Sequence, residues 1–327
     1  MTVKRIALIA GSLILPLALM VLLFGVLGVT LDELAGSLAR TPAWLFAAVL
    51  MITFANQAIS VVRWRAAARW LNPQAEIVGW GPALEATAWG SFIGQFLPLQ
   101  LSMALARWAR SRNRTTVGAT LYEQLFDLLI LLSAGGGAAL LLGLRGNPEM
   151  AFVMLSLAIG ASCLGVRWLL AGSSALASAI SSSRLPAPAF VAELVDPLRQ
   201  ASGAPLRLLA LMVGLAVLRL AILALRAVLV ASVLIGALNW ITVVIGYPIV
   251  GLALGVPFLP AGLGVADWSL TGILVLAGAA APAAAMTAAA FRVINIVTLG
   301  ALLLALLPFR ARPAHGGRMD GPVTVSS

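Results

Sequence analysis

Long apolar runs separated by short polar breaks make up this chain, and none of the runs shows the every-other-residue alternation of a membrane strand. Apolar stretches of span length occupy about 6–28, 43–62, 117–142, 149–171, 206–232 and 284–308. About 20 apolar residues cross the hydrocarbon of a bilayer as a helix, so each is read as a transmembrane helix. Two more stretches, about 82–104 and 237–280, are apolar but interrupted. Phe96-Leu97-Pro98 breaks the first, and Phe258-Leu259-Pro260 breaks the second within a segment running from Pro257 to Gly264. Proline removes a backbone donor and ends helices. In lipid the freed backbone groups need protein or water partners, so each interrupted stretch is expected to turn back on itself.

The basic residues orient these segments. The loop 30–42 carries Asp32, Glu33 and Arg40 and has no basic excess. The second span ends in Arg63-Trp64-Arg65 and continues to Arg69-Trp70. The arginines point to the cytoplasmic side and the tryptophans to an interface belt, with a short interfacial helix. Arg107, Arg110, Arg112 and Arg114 form the densest basic cluster. Both flanks of 82–104 are therefore basic, and a single crossing would place one of them outside. A re-entrant hairpin entering from the cytoplasm avoids this. By the same counting the hairpin in 237–280 enters from the outside.

The resulting fold class is an all-α polytopic membrane protein of six spans and two re-entrant hairpins. Its order is span, span, hairpin, span, then the same again from the opposite face. That is an inverted repeat, common among secondary transporters, whose sites lie at such breaks. Residues 1–171 form the first membrane half and 172–205 a cytoplasmic linker. Residues 206–309 form the second half, and 310–327 a polar tail expected to be disordered. The apolar run after Lys4 and Arg5 is longer than a signal core and is read as a retained first span.

Composition agrees. Of 327 residues, 61% are hydrophobic and 10% charged, with mean hydropathy +1.05, which excludes an ordinary soluble domain. The net charge of +10 is almost wholly arginine, Lys4 being the only lysine. It is read as topology and lipid contact, not nucleic-acid binding. Cys163 is the one cysteine and His315 the one histidine, so neither a disulfide framework nor a histidine-based metal or triad site in the membrane is expected, and no cofactor.

Charged residues at membrane depth are costly and face partners or a cavity. Here they are Glu85, Glu123, Asp127, Arg219, Arg226, Asp267 and Arg292. Glu123 and Asp127 share a helical face, as do Arg219 and Arg226. One reading is charge pairs that fix helix packing. The other is arginines that bind an anionic head group through their planar fork, with carboxylates orienting them when the site is empty. Arg107 lies closest to the first break. Half-helix ends at Pro98, and at Pro260, Gly262 and Gly264, add backbone N–H groups suited to anions. Gln95 and Gln100 can satisfy backbone freed at the first break.

These residues resemble a known family, the flippase-like membrane region of the lysylphosphatidylglycerol synthases. The matching features begin with Arg63-Trp64, Phe96-Leu97-Pro98 leading to Arg107, and Glu123-Gln124-Leu125-Phe126-Asp127. In the second half they are Leu259 to Asp267 and then Arg292. The likeness covers about 44–308. In this family a glycine pair usually stands where Ser102 to Ala104 lie, an arginine at Gln124 and a glutamate at Asp267. The resemblance implies movement of a phospholipid or polyprenyl-linked anionic lipid between leaflets; the expected location is the bacterial cytoplasmic (inner) membrane, and the charge counting places both termini in the cytoplasm. With the charges at membrane depth, the resemblance makes Arg63, Arg107 and Arg292 head-group candidates beside Arg219, which the charge reading alone supplies, and Glu123, Asp127 and Asp267 orienting or proton-linked carboxylates. It does not imply aminoacyl transfer, which in the synthases belongs to a separate soluble domain.

Two other functions compete. One is a non-catalytic partner of a glycosyltransferase or lipid synthase, docked by the basic segment Arg63–Arg114. The other is an enzyme acting on a lipid-linked sugar, for which Glu123 with Asp127 is the only close carboxylate pair in a span. Neither an enzyme nor a metal site is the expectation.

Overall fold

The computed structural model describes residues 21–22, 24–74, 77–111, 114–143, 204–254 and 264–307. Within them every regular element is a helix: α1 (Leu31–Ala39), α2 (Ala43–Leu71), α3 (Trp80–Ile93), α4 (Leu99–Ser111), α5 (Arg114–Gly143), α6 (Leu206–Leu234), α7 (Trp240–Leu254), α8 (Val265–Leu276) and α9 (Ala281–Leu306). Four of these, α2, α5, α6 and α9, are long and apolar enough to cross a membrane. The protein is an all-helical polytopic membrane protein. The expected spans at 149–171 and, for most of its length, 6–28 lie outside the described residues, as do the linker 172–203 and the tail after 307.

Short helix α1 is set by a capping box: Glu33 N–H donates to the Thr30 hydroxyl, and Thr30 N–H donates to the Glu33 carboxylate. That backbone bond holds the Glu33 carboxyl below its ordinary range.

Helices α3 and α4 have 14 and 13 residues, about 20 Å each, too short to cross about 30 Å of hydrocarbon alone. They pack antiparallel. Gly94 faces Leu99 near the turn, Gly90 lies against Met103, and Thr87 reaches Arg107. A Cβ on Gly90 would come within 2.8 Å of the Met103 Cα, so this contact requires glycine. The break falls at the expected phrase, with Pro98 just before α4 and its carbonyl accepting from both the N–H and the hydroxyl of Ser102. Helices α7 and α8, of 15 and 12 residues, form a second antiparallel pair: Gly246 abuts Ile273, and Asn239 N–H donates to Ala277 C=O at 3.0 Å.

The order long helix, short pair, long helix thus occurs twice, as α2–α5 and α6–α9. The leading helices α2 and α6 are each 29 residues long. Val61 of α2 clusters with Met212 of α6, and Leu45 and Val49 cluster with Val230 and Leu234. The two therefore run antiparallel, as an inverted repeat requires. Gly135 of α5 meets Leu252 of α7 so closely that a methyl there would overlap it, the close approach that small residues allow between helices.

One expectation is corrected. Arg63 and Trp64 are not at an interface, and no separate interfacial helix follows them. α2 continues unbroken to Leu71, and both side chains are buried. Arg63 lies on the inward face with Asn56 and Ser60, where carboxylates of α5 compensate its charge. The exposed tryptophans among the described residues are instead Trp44, Trp80 and Trp240, in the first turns of α2, α3 and α7, and Trp108 in the last turn of α4.

Candidate functional site

The inner face of α2 is polar. Thr53, Asn56, Gln57, Ser60 and Arg63 are spaced at helical intervals and all buried, while Met51 and Phe54 on other faces are exposed. A helix with polar residues inward and apolar residues outward is an aqueous amphipathic helix turned inside out. It suits a lipid surround in which polar groups face the bundle interior.

Five elements meet on this stripe. From α5, Glu123 and Asp127, one turn apart, present their carboxylates to it. Arg63 Nη1 pairs with Asp127 Oδ1 at 2.5 Å and lies 3.7 Å from Glu123 Oε1, and its Nη2 donates to the Glu123 carbonyl at 2.9 Å. Arg107, from α4, is wholly buried. Its Nη1 pairs with Glu123 Oε2 at 2.6 Å, its Nη2 donates to the Ser60 hydroxyl at 2.8 Å, and its Nε donates to Thr87 of α3 at 3.3 Å. The Arg107 guanidinium also lies 4.8 Å above the Trp64 ring, a further attraction for the cation. Ser60 in turn donates to Glu123 Oε1 at 2.5 Å. Arg219, from α6, pairs with Asp127 Oδ2 and donates through Nε to Asn56 Oδ1 at 2.8 Å. Three guanidiniums face two carboxylates, so the cluster keeps one net positive charge.

The second half holds a smaller counterpart. Arg292 of α9 grips Asp267 of α8 through two bonds, Nε to Oδ1 at 3.0 Å and Nη2 to Oδ2 at 2.9 Å, the fork-to-carboxylate geometry that arginine favours. Gly264 N–H donates to the same carboxylate at 2.9 Å. Gly264 sits at φ +80°, a conformation in which an L side chain is strained. In each half the second helix of the short pair is thus ion-paired to the long helix that follows. The polarity is reversed: α4 gives the cation in the first half, and α8 gives the anion in the second.

A line of polar contacts joins the halves. Arg226 of α6 donates to Asn295 Oδ1 of α9 at 2.6 Å, and Asn295 Nδ2 donates to Gln95 Oε1 at 3.2 Å in the turn between α3 and α4. Gln95 Nε2 donates to the Ser91 carbonyl at 3.2 Å, and the Ser91 hydroxyl donates to Gln57 of α2 at 3.0 Å. Gln95 therefore satisfies backbone at the first break, as expected of it, and also reaches the other half.

All seven charged candidates, Arg63, Arg107, Arg219, Arg292, Glu123, Asp127 and Asp267, are in ion pairs. Five come together in one cluster and two form the second pair. Pro98 and Gly264 lie within the short pairs, each directly before the second helix, whereas Pro260 and Gly262 lie outside the described residues. The residues not foreseen are neutral ones: Asn56, Ser60, Thr87 and Thr120, the last accepting from Arg107 Nη1 at 3.4 Å. The 3, 1, 3, 3 spacing from Thr53 to Arg63 was the available signal for the first two. Among the described residues no group of three His, Cys, Asp or Glu side chains could hold a metal ion.

The lysylphosphatidylglycerol synthase TM region family matches residues 8–312, nearly the whole chain. The chain belongs to this family. Among curated proteins, no relative matches it. The match reaches beyond the 44–308 of the motif likeness and takes in the first apolar run. The departures from the family pattern have local structural counterparts. Where the family's glycine pair is replaced by Ser102 to Ala104, close packing of α3 on α4 is made from the other side, by Gly90 against Met103. Gln124 Nε2 donates to the Gln100 carbonyl at 3.1 Å, tying α5 to α4. Asp267, on its shorter arm, still reaches both Arg292 and the Gly264 N–H.

Proposed function

We propose that this protein moves an anionic lipid, a phospholipid or a polyprenyl-linked lipid, between the leaflets of the bacterial cytoplasmic membrane. The observation that carries the reading is the buried charge cluster of Arg63, Arg107, Arg219, Glu123 and Asp127. Such a group of ions is costly to keep inside a membrane protein. It lies where both halves and the first short helical pair meet, the place at which repeat-built transporters hold substrate. Its excess of guanidinium favours a phosphate head group, and exchange of carboxylate for phosphate on an arginine fork conserves hydrogen bonds. In this reading the α3–α4 pair enters from the cytoplasm and the α7–α8 pair from the outside, with both termini cytoplasmic. The two reversed ion pairs, Arg107–Glu123 and Asp267–Arg292, open in turn as a head group passes. Membership of a synthase membrane-region family supports lipid as the cargo.

The test is transfer of a fluorescent phosphatidylglycerol across proteoliposomes. Arg107→Ala and Arg292→Ala should abolish transfer while each protein still elutes as a folded species. Wild-type transfer by both variants would count against the proposal.

A further inference from the structure

Arg63 and Arg226 occupy the same position in the two halves, yet among the described residues only Arg63 has a counter-charge. Each is the twenty-first residue of a 29-residue helix, α2 from Ala43 and α6 from Leu206. The antiparallel helices touch at Asn56 and Arg219, each the fourteenth residue of its helix. The two arginines therefore stand about 10 Å to either side of that contact along their own helices. Arg63 is ion-paired to Asp127 and Glu123. Arg226 is only 6% exposed, and among the described residues no carboxylate pairs with it. Its partners are the Asn295 side-chain oxygen at 2.6 Å and the face of Phe291 at 4.9 Å, and its Nε is buried without a hydrogen bond. The Thr53 hydroxyl, on α2 to the same side of the Asn56–Arg219 contact, is also buried with no partner.

A guanidinium sequestered without an anion is the costly member of any buried pair, and a donor left unmade adds to that cost. Among the described residues, Arg226 therefore lacks the negative charge that Glu123 and Asp127 supply to Arg63. We propose that Arg226, with Asn295 and Gln95, binds a phosphate anion, and that the ligand supplies the missing charge. The amides of Asn295 and Gln95, bonded to each other at 3.2 Å, can rotate to give the anion N–H donors, and the free Nε–H of Arg226 completes the set. Two sources carry this chemistry, a lipid head group and free phosphate. The lipid source rests on the transport reading above, whereas the anion site does not.

The full chain in detergent is titrated with dioctanoyl phosphatidylglycerol, with dioctanoylglycerol and with inorganic phosphate, and leaflet transfer is measured in parallel. Phosphatidylglycerol should bind, dioctanoylglycerol should bind at least tenfold more weakly, and Arg226→Gln should weaken phosphatidylglycerol at least tenfold. Asn295→Asp is the decisive variant. It places a carboxylate on Arg226, so it should weaken phosphatidylglycerol at least tenfold while melting at or above the wild-type temperature. Loss of binding then cannot be loss of fold. Inorganic phosphate binding as tightly as the lipid, with the same dependence on Arg226, assigns the site to free phosphate and supports it. Binding of phosphatidylglycerol within twofold of wild type in both Arg226→Gln and Asn295→Asp overturns the proposal, as does wild-type protein that binds neither phosphate probe. Arg226-dependent binding without leaflet transfer leaves the anion site standing and removes the transport reading. Transfer with Arg226-independent binding does the reverse.

Discussion

Glu123→Gln is the sharpest probe of the charge cluster. Its carboxylate faces Arg107 at 2.6 Å, accepts from Ser60 at 2.5 Å and lies 3.7 Å from Arg63. Asp127 still holds Arg63 after the change. Arg107 then keeps only neutral partners around a fully buried charge: the new amide, the hydroxyls of Ser60 at 2.8 Å, Thr87 at 3.3 Å and Thr120 at 3.4 Å, and the Trp64 ring. Removing one member of such a pair costs about 3–5 kcal/mol. For a chain of this size about 2 °C accompanies each kcal/mol, so the midpoint should fall by about 6–10 °C. The double variant Glu123→Gln, Arg107→Met removes both charges and keeps side-chain volume. Since apolar replacement of a whole buried pair is often neutral, its stability should return to within about 1 kcal/mol of wild type. Thermal unfolding in detergent, followed by tryptophan fluorescence, reads both. The reasoning is refuted if Glu123→Gln melts with the wild type, or if the double variant is no more stable than the single one.

Other perturbations test the frame around the cluster. Asp127→Asn leaves Arg63 and Arg219 without their shared carboxylate; it should cost about 3–5 kcal/mol, and adding Arg219→Gln should restore part of the melting temperature. Gly90→Ala drives a methyl toward the Met103 backbone and should cost about 1–3 kcal/mol, whereas Gly136→Ala, in open space on α5, should be neutral or gain about 0.5–1 kcal/mol in the same melting assay. Gly264→Ala imposes a side chain at φ +80°; it should destabilise by about 1–2 kcal/mol, and protease cleavage near the start of α8 should quicken.

Much of the fold was legible because the signals are physical breaks. Pro98 breaks the apolar run, and residues 80–93 and 99–111 form two short helices that fold back on each other. The misreading of Arg63 and Trp64 has an equally physical cause. A charge that ends an apolar run looks the same whether it meets water or a buried carboxylate. The continuing stripe of Asn56, Ser60 and Arg63 was the distinguishing feature, since a helix leaving the membrane needs no polar face before its exit. The carboxylates Glu123 and Asp127 were recognisable as one face, but their partners were not. Asp127 is shared between Arg63 and Arg219, 64 and 92 residues away, and such sharing depends on how α2, α5 and α6 pack. The contact of Gln95 with Asn295 spans 200 residues and follows only from placing the first turn against α9.

Lipid transport by this fold is read from the rate at which labelled lipid changes leaflet in sealed proteoliposomes. Wild-type protein should move labelled phosphatidylglycerol faster than protein-free liposomes do. It should move a labelled diacylglycerol, which offers no anion to the arginines, no faster than those liposomes do. A phosphatidylglycerol rate equal to the protein-free background, in vesicles whose protein is shown to be folded and inserted, would contradict the account.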